Sequence, residues 1–178
     1  GKFLGSLKDF GAPALGAIAL TGANVTIAGN LTAPGGSIAL NASAISPFLA
    51  TRVNANASQN PKPTPVTGRG TLLVGASSTI TTAGLQVDDR LFADDPLGSQ
   101  LVVNAGSINI NAYHTLLAGG STLNVSGGVS VNPSGRLTYG TGGAISVKGG
   151  QDPNVDSVTG GTLQLGSVLS GLDPATEI

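Results

Sequence analysis

The sequence predicts an all-β solenoid, a chain that coils through short strands and turns its corners on glycine. Three observations predict it. The first is a recurring phrase of glycine, a small residue and alternating aliphatics. It reads Gly16-Ala17-Ile18-Ala19-Leu20, Gly36-Ser37-Ile38-Ala39-Leu40, Gly70-Thr71-Leu72-Leu73-Val74 and Gly106-Ser107-Ile108-Asn109-Ile110. It returns as Gly120-Ser121-Thr122-Leu123-Asn124-Val125, Gly143-Ala144-Ile145-Ser146-Val147 and Gly161-Thr162-Leu163-Gln164-Leu165. The second is its spacing: 20 residues from Gly16 to Gly36, 23 from Gly120 to Gly143 and 18 from Gly143 to Gly161. A period near this length, with two-residue alternation inside it, is the mark of stacked coils of strand. The third is composition: 28 Gly, no Cys, Met or Trp, and only four Phe and two Tyr among 178 residues. Thin rungs of stacked aliphatics need few aromatics, whereas a globular core leans on them.

Residues 1–13 lie outside the repeat and read as a linker or a cap on the first rung. Phe3, Leu4, Leu7 and Phe10 fall at helical spacing there. The solenoid proper is expected over 14–178. Ile18 and Leu20 form its first strand, Val25 and Ile27 the next, and Pro34-Gly35-Gly36 a corner. A second coil through Ile38, Leu40 and Ile45 breaks off at Pro47. Residues 47–69 are dense in Pro, Asn and Ser, so they read as a loop that leaves the coil and returns at Arg69-Gly70. Residues 86–100, with Asp88-Asp89-Arg90, Phe92 and Asp94-Asp95-Pro96, read as a second loop. The phrase spacings across these stretches, 34 and 36 residues, each equal one rung plus an insertion. After Gly106 the coil tightens into the pairs Leu123/Val125, Val129/Val131, Leu137/Tyr139, Ile145/Val147 and Leu163/Leu165, with a short excursion from Gly149 to Gly160. The length suits roughly seven to nine rungs and a rod of roughly 35 to 45 Å.

The phrases Gly35-Gly36-Ser37-Ile38-Ala39-Leu40-Asn41-Ala42-Ser43, Ala105-Gly106-Ser107-Ile108-Asn109-Ile110-Asn111-Ala112 and Gly142-Gly143-Ala144-Ile145-Ser146-Val147-Lys148-Gly149-Gly150 carry a resemblance. They look like the repeat region of filamentous haemagglutinin-like proteins, the large exoproteins of bacterial two-partner secretion, across roughly residues 14–172. The resemblance implies a right-handed parallel β-helix, in keeping with the right-handed bias of parallel crossovers. It also implies passage through an outer-membrane transporter and residence outside the cell, secreted or at its surface. The expected role is a shaft in cell adhesion. Its partners would be a host-cell surface protein or glycan, or neighbouring repeats of the same exoprotein. No residue of the family's amino-terminal secretion motifs is matched, so this stretch reads as shaft from a longer protein.

Other function classes find little support. A net charge of −1 offers no field for nucleic acid, and no basic patch interleaves with aromatics. The absence of Cys suits a chain held unfolded for export. Catalysis is not expected: there is one histidine, His114, read as an outward or loop residue, and no nucleophile elbow. β-helical enzymes acting on polysaccharides line one face with charged groups, and here the carboxylates fall in loops instead. Recognition is therefore expected on the insertions, because loops on a rigid scaffold carry function. The candidate ligand-binding residues are Arg52, Asn54, Asn56 and Lys62 in the first and Asp88, Asp89, Arg90 and Phe92 in the second. No cofactor is expected. Asp152, Asn154 and Asp156 alternate as the first calcium ligands of an oxygen loop do, but Ser157 and Leu163 stand where that loop needs Gly and Glu. Two alternatives stay open: a spacer without any ligand, and a polysaccharide-binding or polysaccharide-cleaving β-helix.

Overall fold

The computed structural model describes residues 9–59, 61–90 and 103–172. Strands dominate, most of them in parallel sheets, and the sheets do not close into a barrel. After a short β1 (Phe10–Gly11), the chain makes four circuits. The first runs through β2 (Ala17–Gly22), β3 (Asn24–Ile27) and β4 (Leu31–Thr32). The second holds β5 (Ser37–Ala42), helix α1 (Pro47–Ala55), β6 (Thr71–Val74), β7 (Thr79–Thr81) and β8 (Gln86–Asp88). The third holds β9 (Ser107–Ala112), β10 (His114–Leu117), β11 (Thr122–Asn124), β12 (Val129–Val131) and β13 (Leu137–Tyr139). The last holds β14 (Ala144–Lys148), β15 (Gln151–Asp152), β16 (Val155–Thr159), β17 (Thr162–Leu165) and β18 (Val168–Ser170).

Corresponding strands stack. β2, β5, β9 and β14 form one parallel sheet; β3, β6, β10 and β17 a second; β1, β4, β7, β11 and β18 a third. Visiting the same three sheets in the same order on each circuit makes the fold solenoid-like. Because side chains alternate across a strand, register turns the repeated phrase into columns. Ile18, Ile38, Ile108 and Ile145 align, as do Leu20, Leu40, Ile110 and Val147. Ile27, Val74, Leu117 and Leu165 form another column, and Leu31, Ile80, Leu123 and Leu169 a further one. These columns are the core, and each fully buried aliphatic contributes about 1.5–3 kcal/mol. Thr115 interrupts the column Val25, Leu72, Thr115, Leu163, and its hydroxyl is satisfied by donating to the Lys148 carbonyl at 3.0 Å.

The glycine that opens the phrase has a steric cause. Gly16, Gly36, Gly106 and Gly143 stack at one corner, where a Cβ on Gly106 would overlap the Gly36 carbonyl oxygen and one on Gly36 that of Gly16. Only glycine lets successive circuits approach this closely.

Several expectations are corrected. The described residues make four circuits instead of seven to nine, because the excursions consume the chain. Residues 47–69 begin as a helix. Leu137/Tyr139 is not a coil strand: β13 folds back antiparallel on β12, whereas Val129/Val131 stacks parallel on the preceding circuit as expected. The strand it stacks on, β8, lies inside the expected second loop. Alternation marks a strand but does not name its partner.

Candidate functional site

The side groups gather on one flank, where α1 packs against the β15–β16 hairpin. The helix starts because Ser46 is extended (φ −67°, ψ 149°) and its Oγ accepts from the Leu49 N–H at 3.3 Å, with Pro47 pre-set at the first helical position. The helix ends at Asn56, whose amide donates to the Arg52 carbonyl at 2.8 Å, while the cationic Arg52 lies in the last turn and complements the helix dipole. Ala50 and Val53 point inward, onto Ala44, Ile45, Tyr113, Val155 and Val158. This is a second core, separate from the columns of the coil.

Polar contacts tie the same parts together. Asp152 is buried, 1 % exposed. Its Oδ2 accepts from the Ile45 N–H at 2.9 Å and its Oδ1 from the Asn154 N–H at 2.9 Å. The Asn154 amide donates to Ser43 Oγ at 2.6 Å, and the Asn54 amide donates to the Asn154 carbonyl at 3.1 Å. Ser157 Oγ donates to the Pro61 carbonyl at 2.7 Å, and Tyr113 OH to the Thr159 carbonyl at 3.2 Å. A half-open cleft of about 310 Å³ remains where helix and hairpin meet, lined by Val53, Asn54, Pro61, Asn154, Asp156 and Ser157 among others.

Outside the cleft, the helix shows solvent an aromatic and a cation. Phe48 is 73 % exposed, and the Arg52 guanidinium lies 5.8 Å from its ring centroid. That geometry is a cation–π pair on a solvated face.

The expected binding residues separate into two places. Arg52, Asn54, Asn56 and Lys62 are exposed on the helical flank, with Asn54 in the cleft. Asp88 ends β8 and Arg90 follows just past it, and the two face each other as a fork. Arg90 Nε donates to Oδ1 at 2.9 Å, and Nη2 to Oδ2 at 2.5 Å. The guanidinium hydrogen bonds, helped by the Arg90 backbone N–H, hold the Asp88 carboxyl at about 2. Arg90 is correspondingly raised, chiefly by its hydrogen bond to Asp88. Asp89 donates its N–H to the Val131 carbonyl at 2.9 Å. Phe92, Asp94 and Asp95 lie outside the described residues.

The structure brings the first insertion against Asp152, Asn154 and Asp156, groups the sequence had suggested only as calcium ligands. Both oxygens of Asp152 hold backbone N–H groups, and the Gln151 amide donates to the Asp156 carbonyl at 2.7 Å. Among the described residues, no three His, Cys, Asp or Glu side chains converge on a position for a metal. His114 opens β10, with Nδ1 3.0 Å from Thr162 Oγ1 and its ring edge-on to Tyr113 at 4.6 Å. No helix among the described residues is long and apolar enough to cross a membrane.

Sequence reasoning missed Phe48, and with it the helix. The signal was present: Ser46-Pro47 is a cap followed by proline, and Phe48 and Arg52 stand four residues apart. It missed Ser43, Pro61 and Ser157 because their roles depend on contacts with residues roughly a hundred positions away. Compared with protein-family models, curated proteins and solved structures, the chain gives no significant match, so its functional reading rests on this geometry.

Proposed function

We propose that this chain is a stretch of right-handed parallel β-helix from a bacterial surface or secreted adhesin, and that it presents the helical flank for attachment to host cells. Handedness follows the strong right-handed bias of parallel crossover connections. The observation that supports the role is the way α1 and the hairpin share a core and a cleft on the side of a regular coil. A loop grafted onto a rigid scaffold in this manner offers a fixed recognition surface at low entropic cost. Phe48 and Arg52 are its exposed anchors, of the residue types that dominate binding hot spots, and Asn54 and Lys62 flank them.

Removing residues 48–68 would open the second core, so the test uses point changes on the exposed face. The parent chain and the double variant Phe48→Ala/Arg52→Ala are compared for binding to host cells and to a glycan array. Attachment by the parent and at least a tenfold loss in the variant is the expected result. Equal binding would remove the flank from the mechanism. No binding by either protein, with both folded, would leave a spacer.

A further inference from the structure

We infer that the cleft between α1 and the β15–β16 hairpin is a saccharide subsite, and that it takes an uncharged hexose unit. The inference rests on the reading of this flank as an attachment surface and names the chemistry such a surface would recognise. At about 310 Å³ the cleft lies at the small end of ligand pockets, where one sugar ring rather than a peptide segment is the natural occupant.

Internal hydrogen bonds have already sorted its polar groups. The Asn54 amide donates to the Asn154 carbonyl, the Asn154 amide to Ser43 Oγ, and the Ser157 hydroxyl to the Pro61 carbonyl. Each of these bonds uses up a donor of the lining. Apart from one spare hydrogen on each amide, what remains is acceptors: Oδ1 of Asn54 and of Asn154, the lone pairs of Ser157 Oγ, and the carboxylate of Asp156. Asp156 is exposed, and among the described residues its carboxylate meets neither a cation nor an N–H. Only its backbone carbonyl is engaged, by the Gln151 amide.

A wall of acceptors selects a ligand that donates. Val53, Ala57, Pro61 and Val155 add apolar surface beside it. A hexose ring answers both features, with hydroxyls that donate and a C–H face that covers apolar groups. A bare cation would leave the apolar side unused. A sugar acid would bring its carboxylate against Asp156, and like charges set together reject a partner. The flank's cations, Arg52 and Lys62, do not line the cleft and so do not offset that repulsion.

The test titrates the 178-residue chain with the methyl glycosides of glucose, galactose and mannose, beside glucuronate and glucosamine. Saturation-transfer NMR reads binding, and the side-chain amide signals of Asn54 and Asn154 locate it. At least one uncharged hexoside should bind and shift both amides, while glucuronate does neither. Asp156→Ala removes an exposed side chain, so it should keep the parent's circular dichroism and bind that hexoside about tenfold more weakly, the weight of one hydrogen bond to a charged group. Phe48→Ala/Arg52→Ala, outside the cleft, should bind it as the parent does. No hexoside binding, or binding that Asp156→Ala leaves undiminished, would overturn the subsite; cell attachment by the parent would then still support the adhesive reading. Glucuronate binding as tightly as the hexosides would overturn it too, as would binding of glucosamine alone, the mark of an ammonium site. Hexoside binding at the two amides by a parent that fails to attach to cells would uphold the subsite and remove the adhesive role.

Discussion

The carboxylate of Asp152 accepts a hydrogen bond from the backbone N–H of Ile45, 107 residues earlier, at 2.9 Å. One side chain thus closes the β15 end of the last excursion onto the segment that leads into α1. Its other oxygen holds the Asn154 N–H, which shapes the hairpin turn. Asp152→Ala should leave the buried Ile45 N–H unpaired, at about 1–3 kcal/mol, and release the N–H of the exposed Asn154. Asp152→Asn keeps an acceptor and should lose less. Urea denaturation gives the totals, and hydrogen exchange should show the protection loss centred on residues 44–55 and 152–158.

The two cores should respond differently to truncation. Ile108 lies in a coil column with no exposure, so Ile108→Ala should cost about 2–5 kcal/mol and lower the global melting temperature. Val53→Ala removes packing from the flank alone. It should leave the coil's denaturation midpoint nearly unchanged while proteolysis within 47–59 accelerates. A common shift in both readouts would mean that flank and coil unfold as one unit.

Gly106→Ala should be among the most damaging single changes, because its Cβ would occupy the position of the Gly36 carbonyl oxygen and force two circuits apart. Overpacking of this kind typically costs about 1–3 kcal/mol, and here backbone rather than a side chain must yield. Gly68→Ala meets no atom but has φ +78°, so its cost should be limited to about 1 kcal/mol of backbone strain. Thermal denaturation of the two variants should rank them in that order.

Asp88 should titrate near 2 in the folded chain, against about 3.9 for an unperturbed aspartate. A lowered folded value stabilises the fold above the unfolded value, and that contribution disappears as the pH falls through about 2. Both partners of the fork are solvent-exposed, so the contribution to stability is small. The carbon-13 carboxyl shift of Asp88 should therefore move near pH 2, and Arg90→Ala should return its midpoint towards the usual aspartate range. A midpoint unchanged by that substitution would show that the fork does not form in solution.

Much of the coil was legible because its signal is local. Ile18/Leu20, Ile38/Leu40 and Ile108/Ile110 alternate within single strands, and the glycine before each marks a corner. The helix was obscured because Asn54, Asn56 and the prolines at 61, 63 and 65 outweighed the short capping signal at Ser46-Pro47. The return strand β13 was read as coil because Leu137/Tyr139 shows the same alternation as the stacked strand Val129/Val131 before it. Arg52, Asn54, Asn56 and Lys62 were marked as one exposed group, whereas Asp152, Asn154 and Ser157 carried no sign that they would meet the first insertion.

By itself the sequence determined a strand-rich chain with stacked aliphatic positions, glycine corners and an interruption at 47, since period and sterics act over a few residues. Tertiary structure decided how many circuits the chain makes and which strands leave them as hairpins. It also decided that α1 and the 151–159 excursion share a core. These outcomes depend on register between residues far apart, and register is set by the combined burial of whole columns, which no short window of sequence contains.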